Sequence, residues 1–316
     1  MMRAAMFSAY GDPSVLRVAE APRPVPRPTE LLIKVSGSSI NPADIGGRHG
    51  LLRLVHARRL PHIPGYDVAG EIVACGAAVT AFAPGERVFA LVGLNGGGHA
   101  EYVCVEQRKL ARLPQRLALA DAGVVPLAGL TALQALRGRA HIARGQRVLI
   151  TGATGGVGSF AVQIAKYFGC HVTAVCRGEA REVALGLGAD EVLDYRQGSF
   201  TRSGERWDIV LDAAGAYDFR EVRPILRAAG MMVTPRPTPA SIVPGLLRRF
   251  GRGPRYSGLI TGASGQDLAF LSLLLEQGDL RPLLDRQFPL DQIGDAHRYF
   301  EAGGIQGKVA VQIGSA

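Results

Sequence analysis

Lysine is nearly missing from a chain that is otherwise basic. Of its 316 residues, 36 are Lys or Arg against 27 Asp or Glu, and the only lysines are Lys34, Lys109, Lys166 and Lys308. The net charge of +9 is therefore an arginine charge. Aromatic residues are scarce too, at 6%. Gripping nucleic acid takes one basic face interleaved with stacking rings. Here arginine is spread along the whole chain, with local density at Arg58, Arg59 and 248–255, so no nucleic-acid partner is expected. The four cysteines, Cys75, Cys104, Cys170 and Cys176, make no CxxC pair and no zinc-ribbon spacing; they suit a reducing compartment, and a cytoplasmic protein is expected. Long apolar runs are also lacking. The uncharged stretch Ala122–Leu136 holds fifteen residues and Pro126, short of the roughly 20 that span a bilayer. The opening MMRAAMFSAYGD has no apolar core of a secretory signal.

What is present is an ordinary globular composition, 47% hydrophobic and 20% charged, with 41 glycines that follow no every-third-residue period. The length exceeds one small core and suits two domains. Up to about residue 117 the chain reads as short Val/Ile-rich strands broken by Gly and Pro: LLIKVS (31–36), DVAGEIVAC (67–75), GERVFALVG (85–93) and AEYVCVE (100–106). That pattern predicts an antiparallel β domain. From about 119 helix and strand alternate: an apolar helix over 119–136, QRVLITG, a helix over 156–168, HVTAVC (171–176), a helix near 179–187, a strand to Asp194, WDIVLDAAG, a helix near 218–228 and GMMVTP. Such alternation predicts a doubly wound parallel sheet. Residues 235–255 read as a long loop, followed by YSGLIT, a helix over 266–276 and the strand KVAVQI.

The strand QRVLIT runs into TGATGGVGS (151–159), which opens the helix SFAVQIAKYFG. A glycine loop between strand and helix is a dinucleotide site: Gly152 permits the turn, Gly155 and Gly156 let backbone N–H groups approach a pyrophosphate, and Gly158 allows close helix packing. A P-loop is excluded because no GK[ST] follows. The end of the next strand selects the dinucleotide. NAD sites place a carboxylate there, and NADP sites replace it with a cation for the 2′-phosphate. The strand ends Val175-Cys176-Arg177-Gly178, so Arg177 points to NADPH, with Arg181 and Tyr195 as further contacts. Glu179, two residues on, is the counter-evidence.

These motifs, with AYGDPSVLRVAEAPRPVPRPTELLIKV, SINPADIGGRHG, IPGYDVAGEI, PLAGLTALQAL, LGADEVLDY, DIVLDAAG and GKVAVQI, resemble the zinc-free quinone oxidoreductases of the medium-chain dehydrogenase/reductase superfamily over nearly the whole length. NPAD followed by LLRLVHARRLPHIPGYDVAGEIV is most similar to the branch of chloroplast-envelope quinone oxidoreductase homologues and alkenal/oxoene reductases. The resemblance implies an α/β architecture: a GroES-like antiparallel β domain (1–118 and 264–316) plus a Rossmann doubly wound parallel sheet domain (119–263). It also implies a homodimer paired through YSGLIT.

Zinc-dependent members place Cys, His and Cys or Asp around a catalytic metal, and the matching positions here are Asn41, Tyr66 and Leu127, which are poor zinc ligands. No metal is expected. The implied chemistry is hydride transfer from NADPH to a quinone, or to the β-carbon of an α,β-unsaturated carbonyl. Asn41 and Tyr66 are the expected hydrogen-bond donors to the developing oxyanion, with Asp44 at a family position beside the cofactor. The expected cofactor contacts are Thr131, Gly152, Thr154, Gly155, Gly156, Val157, Gly158, Arg177, Tyr195 and Ala213. Simpler structural roles stand beside these: Asn41 before Pro42 starts a turn, Tyr66 packs, and Thr131 caps a helix turn. Lys308 reads as a strand-edge charge, and His49, His56 and His62 as surface or pocket-rim residues. A dedicated enoyl reductase of one biosynthetic intermediate is the nearest alternative function. A non-catalytic NADPH- or RNA-binding protein is the alternative from another class.

Overall fold

Alternating Val, Ile and Leu in the first third of the chain, and helix–strand repetition after it, become two structural units. The computed structural model describes residues 1–51, 60–93, 95–236 and 253–314. One unit comprises Met1–Leu127, Ala263–Gly278 and Pro282–Ala316, and the other Ala128–Gly262 with Asp279–Arg281. In chain order the strands are β1 (Met2–Met6), β2 (Arg17–Ala21), β3 (Glu30–Ser39), β4 (Asp67–Cys75), β5 (Arg87–Leu91), β6 (Tyr102–Glu106), β7 (Leu110–Arg112), β8 (Arg147–Thr151), β9 (His171–Cys176), β10 (Glu191–Asp194), β11 (Trp207–Asp212), β12 (Leu226–Thr234), β13 (Arg255–Gly258), β14 (Leu284–Pro289) and β15 (Lys308–Gln312).

In the first unit a seven-stranded sheet runs β14-β15-β3-β4-β5-β7, with β6 pairing β3 off this path. Its pairs are antiparallel apart from the parallel β14–β15. Alternate residues of these strands, among them Ile33, Val68, Ile72, Val88, Val309 and Val311, build its core. Gly70 is obligatory, since a Cβ there would lie 2.1 Å from the Lys34 carbonyl oxygen on β3. The helix expected over 119–136 is broken into Leu119–Ala122, Pro126–Leu133 and a π-helical turn over Gln134–Arg139. Pro126, without an N–H, begins a helix and does not continue one. The piece Leu119–Ala122 sits on β3 through two glycines: a Cβ on Gly37 would come within 2.6 Å of the Leu119 and Ala120 carbonyls, and one on Gly123 within 2.3 Å of the Gly37 carbonyl carbon. This contact keeps Leu119–Ala122 in the first unit, and the boundary expected at 118/119 falls inside that unit.

In the second unit six strands lie in the order β10-β9-β8-β11-β12-β13, every pair parallel. The order reverses between β8 and β11, so their carboxyl ends flank the crevice where such sheets bind ligands. Leu149, Val175, Trp207, Val210, Phe219 and Met232 pack beneath it. The helix expected near 218–228 is only Phe219–Val222 and a 3₁₀ turn, because Pro224 interrupts it and β12 starts at Leu226. The helices Pro42–Arg48 and Ile293–Ala302 escaped the reading of the sequence. Among the described residues no helix is long and apolar enough to cross a membrane. Residues 52–59, with His56, Arg58 and Arg59, and 237–252, with most of the loop expected over 235–255, lie outside the described residues.

Candidate functional site

The glycine loop of the second unit has the geometry its motif demands. Gly152 takes a φ of 57°, and a Cβ there would crowd Ala214 at 3.3 Å. Gly155 is the N-cap of the helix Gly156–Tyr167. At Gly158 a Cβ would lie 2.1 Å from the Gly152 carbonyl oxygen, so only glycine lets the helix start so close to β8. The first-turn N–H groups of Gly156, Val157 and Gly158 have no intrahelical acceptor and carry the positive end of the helix dipole. Exposed N–H groups and a helix dipole of this kind suit a pyrophosphate, and Thr154 in the same turn is buried. Across the crevice, Asp212 at the end of β11 accepts hydrogen bonds from Thr151 Oγ1 (2.6 Å), Gly215 N (3.1 Å), Ala216 N (3.3 Å) and Tyr217 N (3.1 Å). It shapes the turn that starts at Ala213, and reading the motif DIVLDAAG had not singled it out. Thr131 shares a hydroxyl–hydroxyl bond of 2.7 Å with Thr261.

At the end of β9, Arg177 is half-buried in extended backbone. Glu179, the residue that favoured NAD, is engaged elsewhere: both its oxygens take the Arg196 guanidinium, at 3.0 and 2.7 Å. Tyr195 is 48% exposed. Arg181 donates to the Val192 carbonyl at 3.2 Å and is in part committed to the sheet.

In the first unit the named residues gather around a buried polar network. Asp44 is fully enclosed, its carboxylate accepting the N–H groups of Asn41 (2.9 Å) and Gly65 (2.8 Å). Desolvation raises its pKa, opposed by His99 and these hydrogen bonds. Asp44 therefore ties the start of the helix Pro42–Arg48 to the turn before Tyr66. Asn41 departs from the role expected of it. Its amide NH₂ donates to Asp67 Oδ2 at 2.9 Å and lies 3.3 Å from Ser39 Oγ, while its Oδ1 accepts from Lys308 Nζ. The donors assigned to a substrate oxyanion are thus directed at a carboxylate of the chain itself. Tyr66 is buried and its carbonyl holds Val92 N at 2.7 Å.

Three residues complete this network that the reading of the sequence left out. Asp67, first residue of β4, accepts from Ser39 Oγ (2.5 Å), Leu127 N (2.5 Å), Asn41 Nδ2 and Lys308 Nζ (3.5 Å). Lys308 is no strand-edge charge: it is 4% exposed, and burial pushes its pKa down against the pull of Asp67. Its ammonium bonds the Ile40 carbonyl (3.4 Å), Asn41 and Asp67. A signal did exist, since Asp and Lys heading otherwise apolar strands have to be paired when buried. Beside them His99 Nε2 lies 3.3 Å from the Ser39 carbonyl, and burial lowers its pKa against the pull of Asp44. His62 is also not a surface residue; it is buried edge-on against Phe7, while His49 pairs with Glu301 at 2.9 Å.

The side chains at the three zinc-ligand positions, an amide bound to an ammonium, a phenol and an alkyl group, do not fit a zinc donor set. Among the described residues no group of three or more His, Cys, Asp or Glu is placed to hold a metal.

Residues 27–115 match the family described as alcohol dehydrogenase GroES-like domain, and residues 187–311 the one described as zinc-binding dehydrogenase. The chain is 33% identical over 324 residues to a chloroplast envelope quinone oxidoreductase homolog of Arabidopsis thaliana, covering 99% of this chain and 98% of that one. It is also 33% identical to an NADPH-dependent alkenal/one oxidoreductase of the same plant, over 98% of this chain and 79% of the relative. The solved quinone oxidoreductase of Coxiella burnetii superposes with a TM-score of 0.89 at 30% identity, over 99% of each chain. With a relative matched at 33% identity over nearly the whole length of both chains, the chain belongs to the medium-chain dehydrogenase/reductase superfamily, beside its quinone oxidoreductase homologues.

Proposed function

We propose that this protein is a zinc-independent, NADPH-dependent oxidoreductase that reduces a quinone, or the β-carbon of an α,β-unsaturated carbonyl. When bound, the reduced nicotinamide supplies the hydride. The observation that carries the reading is the Lys308 ammonium seated on Asn41 and Asp67. A fixed cation there opposes a divalent ion, and without a Lewis acid the acceptor has to be electrophilic already.

The chain's own residues hold and shape. The first-turn N–H groups of 156–158 and the helix dipole receive the pyrophosphate. Arg177 supplies the charge for a 2′-phosphate, with Glu179 drawn off by Arg196. Thr131, Asp212 and the Ala213 turn order the nicotinamide end. Tyr66 donates to the enolate or phenolate oxygen, a contact of about 3 kcal/mol when well placed. Asn41 and Asp44 act as positioning residues, fixing the backbone that carries Tyr66. We further place the protein in the cytoplasm as a homodimer without a nucleic-acid partner. In support, β13 forms an edge of its sheet and all four cysteines are free thiols; a monomer in sedimentation equilibrium would remove the dimer.

The test is a parallel NADPH-oxidation screen of quinones, enals, enones and enoyl thioesters, with NADH as control. Turnover of quinones, enals or enones with NADPH is expected. Activity confined to enoyl thioesters favours the dedicated reductase, and activity only on saturated alcohols with added zinc overturns the proposal.

A further inference from the structure

We propose that Arg196 sets coenzyme choice indirectly, by clamping Glu179 so that its carboxylate can neither read a ribose 2′-hydroxyl nor repel a 2′-phosphate. The inference rests on the NADPH reading above. In parallel nucleotide-binding sheets the ribose-reading acid comes about 20 residues after the glycine turn. Arg177 and Glu179 both stand at that distance from Gly158, and one turn therefore carries the determinants of both coenzymes. The fold resolves this conflict with a third residue.

Arg196 reaches Glu179 in the fork geometry that matches a carboxylate, Nη1 to Oε1 at 3.0 Å and Nη2 to Oε2 at 2.7 Å. Its other side is bolted to the sheet. Nε lies 3.3 Å from Asp194 Oδ1 and Nη2 lies 3.2 Å from Oδ2. Asp194 is itself fixed: it pairs in register with Cys176, the last residue of β9, and accepts the Arg196 N–H at 3.0 Å. A Cβ on Gly178 would lie 2.6 Å from Asp194 Oδ2, so the turn after Arg177 packs directly on this carboxylate. The Asp194 side chain is 9% exposed and that of Glu179 68%. The clamp thus has a rigid arm and a free one. With both oxygens of Glu179 held by the guanidinium, the carboxylate is turned toward Arg196 and is a weaker acceptor for ribose hydroxyls until the guanidinium lets go. The guanidinium also offsets part of the negative charge that Glu179 would set against a 2′-phosphate.

The test titrates NADPH and NADH, by the fluorescence of the reduced nicotinamide, into the full-length wild type, Arg196→Ala and Arg196→Ala/Glu179→Gln. The Arg196 and Glu179 side chains are exposed, and far-UV circular dichroism of each variant checks that the fold is retained. Freeing Glu179 in Arg196→Ala tightens NADH by about fivefold, the yield of one charge-assisted hydrogen bond at an exposed site, and weakens NADPH. The double variant loses the NADH gain. Loss of NADPH affinity with no gain for NADH overturns the clamp and makes Arg196 a direct phosphate ligand. A gain that survives in the double variant overturns it as well, because Glu179 is then not the reader. The wild type alone decides the underlying reading: preference for NADH there removes NADPH specificity, and the clamp with it.

Discussion

Replacing Lys308 by Met removes the only cation seated on the buried Asp67 carboxylate in the described first unit and keeps the volume. The side chains of the two partners are 5% and 0% exposed. Asp67 would keep three neutral donors, Ser39 Oγ, Asn41 Nδ2 and Leu127 N, but no counter-charge. Breaking one side of a buried pair costs about 3–5 kcal/mol because an uncompensated charge is left behind. The contact is long, at 3.5 Å, and the neutral donors soften the loss, which places the expectation near the lower end, about 3 kcal/mol. Set against a typical total of about 5–15 kcal/mol, that is a large share. Urea unfolding followed by far-UV circular dichroism reads it as a lowered midpoint at unchanged slope. The double variant Lys308→Met/Asp67→Asn removes the stranded charge and recovers most of the loss. Coupling of this kind is the signature of the pair. A single variant within about 1 kcal/mol of wild type, and a double no more stable than the single, would refute the assignment.

Gly158→Ala places a methyl against the Gly152 carbonyl; the helix shifts outward, and NADPH binding by calorimetry weakens by tenfold or more, on the order of 1.4 kcal/mol. Tyr66→Phe lowers kcat by about 100-fold with little change in KM if its hydroxyl meets the developing oxyanion, and unchanged turnover would remove Tyr66 from that role. His99 and His297 are buried, and desolvation depresses the pKa of both, that of His297 well below its usual value. A depressed folded-state pKa means stability that is full above the unfolded value of about 6.5 and is lost as pH falls below it. The melting temperature should therefore drop between pH 6.5 and 5. His297→Gln should flatten that drop by about one proton's worth, roughly 1.4 kcal/mol per pH unit, and an unaltered slope would exclude His297 as its source.

The glycine turn was legible because its geometry is local: the turn, the close packing and the helix start belong to consecutive residues, and glycine at 152, 155 and 158 answers a steric demand of backbone on backbone. The parallel sheet was legible for a similar reason, from strand and helix alternating at crossover spacing. Broken elements were harder. The stretch 119–136 is apolar throughout, and only the packing of Gly123 on Gly37 decides where its first piece belongs.

Residue types and short-range order by themselves determined the two textures of the chain and the glycine turn with its helix; that Asn41, Tyr66 and Leu127 stand at the zinc-ligand positions came from the family resemblance. Tertiary structure alone decided the partnerships. Asn41 gives its donors to Asp67, Lys308 enters the interior from the last strand, and Arg196 pairs with Glu179. The physical reason is range. Backbone sterics and periodicity act over a few neighbours, whereas a buried charge is satisfied by whichever strand the topology lays beside it, and β3, β4 and β15 meet only after the chain has folded.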